Sequence, residues 1–205
     1  MNEQRNVTSN ERRQAANPPS ETKTRILECS RKLFSERTFA QVSLKEIAEA
    51  AGVSAPLIIK HFQSKENLFK QTVDFSTSAA ALFKGPFEEL GRTSITETLS
   101  APTTAHYSII RTMTVTDGSD TSLSAIGEAV KRDILSVLEQ RIQEEAPFPD
   151  PEPQLRAQAA MALLTGLSLM RRVGDTDFQE FPPDALADYY AELVQQILNG
   201  HAPAQ

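Results

Sequence analysis

The stretch SLKEIAEAAGVSAPLIIKHF, residues 43–62, constrains the fold more than any other part of this chain. It reads as two short helices joined by a sharp corner. Ser43 and Glu46 have the spacing of a capping box: the hydroxyl accepts from the Glu46 amide and the carboxylate reaches back to the Ser43 amide. Leu44, Ile47, Ala48 and Ala51 recur at helical spacing on one face. Gly52 sits where the helix must stop and turn, in a left-handed conformation that is cheap only for glycine. Val53 fills the corner. Ser54 is a second N-cap, and Pro56 falls in the first turn of the next helix, where its missing amide costs nothing. Ile58 and Phe62, four apart, face inward. Ala55, Leu57, Ile59, Lys60 and His61 are left facing outward.

Those outward residues point to nucleic acid. A helix facing only water rarely displays two large aliphatics beside a lysine and a histidine. One lying in a major groove can, because aliphatic side chains meet thymine methyls while cations meet phosphates. The alternative is that Leu57 and Ile59 pack against a neighbouring helix. The division of charge supports the first reading. Residues 1–70 carry 12 Lys+Arg against 8 Asp+Glu, residues 71–205 carry 9 against 19, and the whole chain is at −6. The basic part holds the two short helices; the acidic remainder is best kept away from phosphates.

The run from about 22 to 73 resembles the DNA-binding domain of the TetR family of bacterial regulators, through TRILECSRKLFSERTF, SLKEIAEAAGVS and HFQSKENLFKQTV in that order. The resemblance implies a homodimer, an N-terminal domain that binds a double-stranded DNA operator, and a helical C-terminal domain that binds a small-molecule effector. Carried over position by position, Ser43 looks like a phosphate contact. Ser54, Ala55, Pro56, Leu57, Ile59, Lys60 and His61 look like the DNA-facing set, and Lys65 like a second phosphate contact. The chain departs from the family pattern twice. Ile59 stands where a phosphate-binding tyrosine is common, so that contact is lost or passes to Lys60 or His61. Thr38 stands where the first helix usually ends in glycine, so it is either strained, by about 1 kcal/mol, or the helix ends differently.

Only 8 glycines in 205 residues, with no alternating β-rich runs, indicate an all-α chain. Four parts are expected: a disordered tail over 1–19, an HTH domain over 20–66, a helical effector-binding and dimerisation domain over 67–200, and a short tail over 201–205. Arg5, Arg12 and Arg13 of the first tail either reach an adjacent minor groove or are simply solvated. No apolar run is long enough for a membrane span and no signal-peptide core is present, so a cytoplasmic protein is expected. The single cysteine, Cys29, lies among Ile26, Leu33 and Phe34 and reads as a structural thiol.

Beyond the corner, one long helix is expected over 64–84, ended by Gly85-Pro86. A short segment follows at 95–99 and a helix at 103–115. A long amphipathic helix over 121–145 has Ile126, Val130, Ile134, Leu138 and Ile142 at four-residue intervals. Pro147 to Pro153 forms a loop, and helices over 153–173 and 182–198 close the chain. These last two are the expected dimer interface, through Ala157, Ala160, Leu167 and Met170 on the first and Leu186, Tyr190, Leu193, Val194 and Ile197 on the second. Further small residues lie at Ala159, Ala162 and Gly166. The alternative is that these faces bury within one subunit.

Phe83, Phe87, His106, Tyr107, Ile110, Met113, Met161, Leu164, Thr165 and Phe178 form the candidate effector-binding set, an apolar lining with a few polar anchors. Each is equally at home in an ordinary helical core. Motifs of hydrolases, P-loop and dinucleotide enzymes and zinc proteases are missing, and three scattered histidines make no metal site. The sequence therefore predicts a cofactor-free, metal-free transcription repressor that binds a palindromic operator as a homodimer and is released by an effector. Two alternatives stand beside it: an HTH protein controlled by protein partners, and a helical ligand carrier or enzyme that binds no DNA.

Overall fold

The computed structural model describes residues 19–102, 112, 119–173, 178, 180 and 181–202. Among them the chain is helical, with one isolated bridge between Asp150 and His201 in place of any sheet. The tail over 1–18, most of the helix expected at 103–115, and therefore His106, Tyr107, Ile110 and Met113, lie outside the described residues.

Four helices make the N-terminal head: α1 (Pro19–Glu36), α2 (Leu44–Ala51), α3 (Ala55–Phe62) and α4 (Lys65–Thr72). Ile26, Phe34, Val42, Ile47, Ile58, Phe62, Leu68 and Phe69 close its core. Phe34 meets Phe69 edge-on with centroids 4.9 Å apart, and Phe39 lies 5.2 Å from Phe69. Such pairs add to what burial alone supplies. α1 also satisfies the end of α2, since Arg25 Nε donates to the Ala51 carbonyl at 2.9 Å and Cys29 Sγ to that of Ala50 at 3.4 Å. The half-buried thiol thus has a structural partner. Thr38 escapes left-handed strain: α1 ends two residues earlier, and Gln41 bonds both the amide and the carbonyl of Thr38.

The long helix expected over 64–84 is in fact two helices, α4 and α5 (Ser76–Leu82), meeting at an elbow over 73–75. Val73 turns to extended backbone (ψ 114°). Asp74 then caps the next turn, accepting from the Ser76 amide at 2.8 Å and the Ser76 hydroxyl at 2.6 Å. These bonds hold its carboxyl below the usual carboxylate range. Phe75 is buried and its amide donates to Asp133 Oδ2 at 2.9 Å. Short polar side chains compete with the helix for backbone groups, which is why the helix stops here.

α6 (Leu90–Ser100) follows a 3-10 turn at Phe87–Glu89. It packs closely on the last helix, α10 (Pro183–Asn199), and Gly91 permits the approach. A Cβ built on Gly91 would overlap the Ala191 carbonyl oxygen and lie 2.9 Å from Gln195 Cβ. The Gly91 amide donates to Gln195 Oε1 at 2.8 Å, and Gln195 Nε2 to the Phe87 carbonyl at 3.1 Å. The helix expected over 121–145 is α7 (Asp120–Val130), a π turn (Lys131–Leu135) and α8 (Ser136–Glu145). A strict four-residue repeat drifts by about 40° per step around an ideal helix. The wider π turn takes part of that drift back, so Ile126, Ile134, Leu138 and Ile142 all stay buried.

α9 (Pro153–Val173) buries Arg156, whose Nη1 donates to the carbonyls of Phe148 (3.1 Å) and Leu198 (3.0 Å) and whose Nη2 donates to that of Pro149 (3.4 Å). Burial pushes its pKa down. The fork ties the proline-rich loop to the C-terminal end of α10. Arg156→Lys should lose that fork and Arg156→Ala the whole clamp, the latter lowering stability by about 2–3 kcal/mol in a urea titration. An unchanged midpoint for Arg156→Ala would show that the clamp is idle.

Candidate nucleic-acid interface

The capping box at the start of α2 is formed as its spacing implies. The Ser43 hydroxyl accepts from the Glu46 amide at 3.2 Å, and the Ser43 amide donates to Glu46 Oε2 at 2.8 Å. The hydroxyl also donates to Oε2 at 2.7 Å, and Arg37 Nη2 to Oε1 at 2.8 Å. The Ser43 hydroxyl, the Ser43 amide and then Arg37 draw the Glu46 carboxyl down from its ordinary 4.5 to about 2. Gly52 takes the left-handed conformation (φ 62°, ψ 39°), and the Val53 amide returns to the Ala48 carbonyl at 2.9 Å.

α3 leaves this corner with fixed attitude. Ser54 supplies extended backbone and its carbonyl accepts from Leu57 and Ile58, but its side chain makes no capping bond. Ile58 and Phe62 are fully buried. On the other edge Pro56 and Lys60 are exposed, Ala55, Leu57 and His61 are half-exposed, and Ile59 is 41% exposed. Ser43, Ser54 and this edge lie together on the surface of one small unit. An exposed isoleucine flanked by a lysine and a histidine suits a surface that meets base edges at its middle and phosphates at its sides.

Lys65, expected as a phosphate contact, packs against Phe39. Its Nζ donates to the Phe39 carbonyl at 2.5 Å and sits 4.1 Å from the centroid of the Phe39 ring. One of its three N–H donors thus braces the corner between α1 and α2. Lys45, overlooked in the sequence, is exposed in the first turn of α2 beside Ser43; its place in a polar first turn was the available signal. Gln63, which closes α3 at φ 69°, was overlooked too. Its amide donates to the Ile59 carbonyl at 2.7 Å, and no sequence pattern marks a glutamine for that conformation.

The C-terminal candidates divide by burial. Phe83, Phe87, Met161 and Leu164 are buried in the shared core; Thr165 and Phe178 are half-buried, with Phe178 packed against that core. Of the expected dimer residues, Ala157, Ala160, Leu167 and Val194 are buried inside the single chain and cannot face a partner. Met170 is exposed; Leu186, Tyr190, Leu193 and Ile197 are half-buried. The outward stripe of α9 is instead Leu155, Ala159, Ala162, Gly166, Leu169 and Val173, with Leu155 61% and Val173 62% exposed. Exposed Phe181 and Tyr189 lie before and on α10. Among the described residues no helix is long and apolar enough to cross a membrane, and no group of His, Cys, Asp and Glu could hold a metal ion.

Comparison with known proteins agrees with this geometry. The family described as "Bacterial regulatory proteins, tetR family" matches residues 26–72, and "Tetracyclin repressor-like, C-terminal domain" matches 88–198. The chain belongs to the TetR family. This is a family of transcriptional regulators with a helix-turn-helix, not of enzymes. Similarity to curated TetR-family relatives covers part of the chain. It reaches 50% identity over 64 residues with the HTH-type transcriptional regulatory protein RaaS of Mycobacterium tuberculosis, covering 28% of this chain and 30% of RaaS. With AcrR of Shigella flexneri it is 41% over 58 residues, 28% and 27% of the two chains. The match spans less than a third of either relative's length. Solved TetR-type structures share the fold over nearly the whole chain. A regulator from Streptomyces coelicolor A3 has TM-score 0.54 at 24% identity, covering 90% of this chain and 98% of that one. GusR of Salmonella enterica has 0.63 at 18%, covering 89% and 98%.

The capping box makes acid sensitivity predictable. A carboxyl depressed from 4.5 to about 2 stabilises the fold in full above pH 4.5, and that contribution is lost as pH falls towards 2. Melting curves between pH 6 and 2 should therefore show a loss in this window that is smaller in Ser43→Ala, which at neutral pH is itself about 1 kcal/mol less stable. Equal acid sensitivity of the two proteins would contradict the assignment. Gly52→Ala, with open space around its Cβ but φ 62°, should cost about 1–2 kcal/mol of strain by the same measurement; no cost would mean the corner is not left-handed.

Proposed function

We propose that this TetR-family regulator is a repressor that binds a palindromic operator as a homodimer and releases it when a small molecule binds the C-terminal domain. The observation that carries the reading is the two-edged α3: Ile58 and Phe62 anchor one edge in the core while Leu57, Ile59, Lys60 and His61 occupy the other. Two copies of such a helix, related by a two-fold axis, reach successive major grooves one DNA turn apart. The exposed stripe of α9 supports a two-fold contact. Its small residues, Ala159, Ala162 and Gly166, allow two helices to approach closely, and its larger ones close the ends.

Effector coupling follows a different path from tilting of one continuous helix, because α4 ends at Thr72. α4, the last helix of the head, is a short lever jointed to the C-terminal domain at 73–75. A coupling of about 1–3 kcal/mol between effector and operator sites changes affinity roughly 5- to 150-fold. The apolar character of Phe83, Phe87, Met161 and Leu164 favours a largely apolar effector.

Selection of genomic fragments with the purified protein tests this directly. Wild type should recover a palindrome, and its affinity should fall steeply with salt. Lys60→Ala should weaken binding at all sequences and reduce the salt slope by about 1. Failure to enrich any duplex, or enrichment unaffected by alanine at both Lys60 and His61, would overturn the reading.

A further inference from the structure

Among the described residues, the joint between head and C-terminal domain is clasped along an edge formed by α4, the elbow, α7 and the π turn. On that edge, Asp133 Oδ2 accepts from the buried Phe75 amide at 2.9 Å, and Arg132 Nη2 donates to the Val73 carbonyl at 3.1 Å. One turn earlier on α7, Glu128 pairs with Lys70 of α4 at 2.8 Å. The same clasp residues, Lys70, Val73, Glu128, Arg132 and Asp133, also line an open cleft of about 620 Å³, together with His61, Gln63 and Asn67 of the head and Ala125 of α7. The clasp therefore borders open space that reaches the end of the recognition helix, and the head has room to rock into it once the clasp is lost.

The two elbow contacts come from the π turn. Its defining bond runs from the Ser136 amide to the Lys131 carbonyl, and the Ser136 hydroxyl donates to the same carbonyl at 2.8 Å. An α-helical turn would pair that carbonyl with residue 135 and rotate everything before it. The two π-turn residues are also locked to one another: Arg132 Nε lies 2.6 Å from Asp133 Oδ1 and Nη2 2.8 Å from Oδ2. This fork presents a carboxylate acceptor and a guanidinium donor to consecutive parts of the elbow. Asp133 is 10% exposed at its side chain, whereas Arg132 is 57% exposed. So much exposed charge is not needed to fill a core; its geometry, aimed at the Val73 carbonyl, is what the elbow uses.

We propose that Arg132 and Asp133 are positioning residues for DNA reading. Held by the π turn, they set the angle at which the head leaves the C-terminal domain, and with it the separation of the two recognition helices in a dimer. The inference rests on the reading of this chain as a dimeric DNA-binding regulator, yet the joint can be measured without DNA. Loss of either contact frees the elbow to rock into the cleft, and loss of the Ser136 hydroxyl loosens the turn that presents both.

The test uses the full chain with Cys29→Ser, spin labels in place of exposed Glu28 on α1 and Gln143 on α8, and dilution with unlabelled chain. Distances between labels are compared for wild type, Asp133→Asn, Arg132→Gln and Ser136→Ala, with Arg92→Gln as a control that breaks an exposed ion pair to Asp188 within the C-terminal domain. Each protein is then offered duplexes with half-site spacing varied base pair by base pair. Wild type and the control should give one narrow distance and one preferred spacing. The Arg132 and Asp133 variants should broaden and shift the distance, lose at least about fivefold in affinity at the wild-type spacing, and accept spacings that wild type rejects; Ser136→Ala should do the same more weakly. Unchanged distances and spacing preference in both variants would overturn the proposal. So would affinity lost equally at every spacing in step with a lowered melting temperature, the mark of a merely structural role. If wild type binds no duplex of any spacing, the DNA-reading function fails, while the distances alone still decide whether the clasp sets the angle.

Discussion

The structure depends first on how the 43–62 unit disposes of its helix ends. Two helices of eight residues each are too short to be stable alone in water, because nucleation costs more than so few bonds return. They persist because their orphan groups are satisfied locally and because one face of each is buried. Glu46 and Ser43 close the start of α2, and Gly52 with Arg25 and Cys29 closes its end. Ile58 and Phe62 then anchor α3 to the head's core. Once those groups are fixed, the exposed edge of α3 has no freedom of orientation. On the proposed function, that lack of freedom lets a hydrophobic side chain on a surface serve as a reading element.

The second constraint lies in α9, which is apolar on two sides. Ala157, Ala160, Leu164 and Leu167 fill the subunit's own core, while Leu155, Ala159, Ala162, Gly166, Leu169 and Val173 face out at the same spacing. A helix apolar on both sides is stable in water only when both are covered. The inward face is covered by the chain itself, and a second copy is the natural cover for the outward one. On the proposed reading, dimerisation and the geometry of DNA reading are linked through one path: outward stripe, core of the C-terminal domain, π turn, elbow, head.

What was legible in the sequence was whatever local chemistry decides. The capping box, the left-handed Gly52, Pro56 in the first turn of α3 and the bounds of α9 at 153 and 173 all follow from residues close in the chain. The illegible parts are those decided from afar. The elbow at 73–75 interrupts a run, Leu68 to Phe83, whose apolar spacing reads as unbroken helix. The partner of its Phe75 amide, Asp133, is 58 residues away. Likewise the two stripes of α9 carry the same periodicity, and nothing local says which one turns inward; choosing Ala157, Ala160 and Leu167 for the interface picked the face that the chain keeps for itself. The contact of Lys65 is illegible for a related reason: its partner, the Phe39 carbonyl, lies 26 residues earlier.

The most direct measurement of the central claim is thymine-to-uracil substitution in the bound duplex, which removes a single methyl group from the major groove while leaving base pairing intact. If the exposed edge of α3 reads base pairs through Ile59, replacing particular thymines within each half-site will weaken binding by wild type. The same replacements will then have little further effect on Ile59→Ala, because the methyl has already lost its partner. Affinity indifferent to every thymine methyl, or a penalty as large in Ile59→Ala as in wild type, would contradict the account.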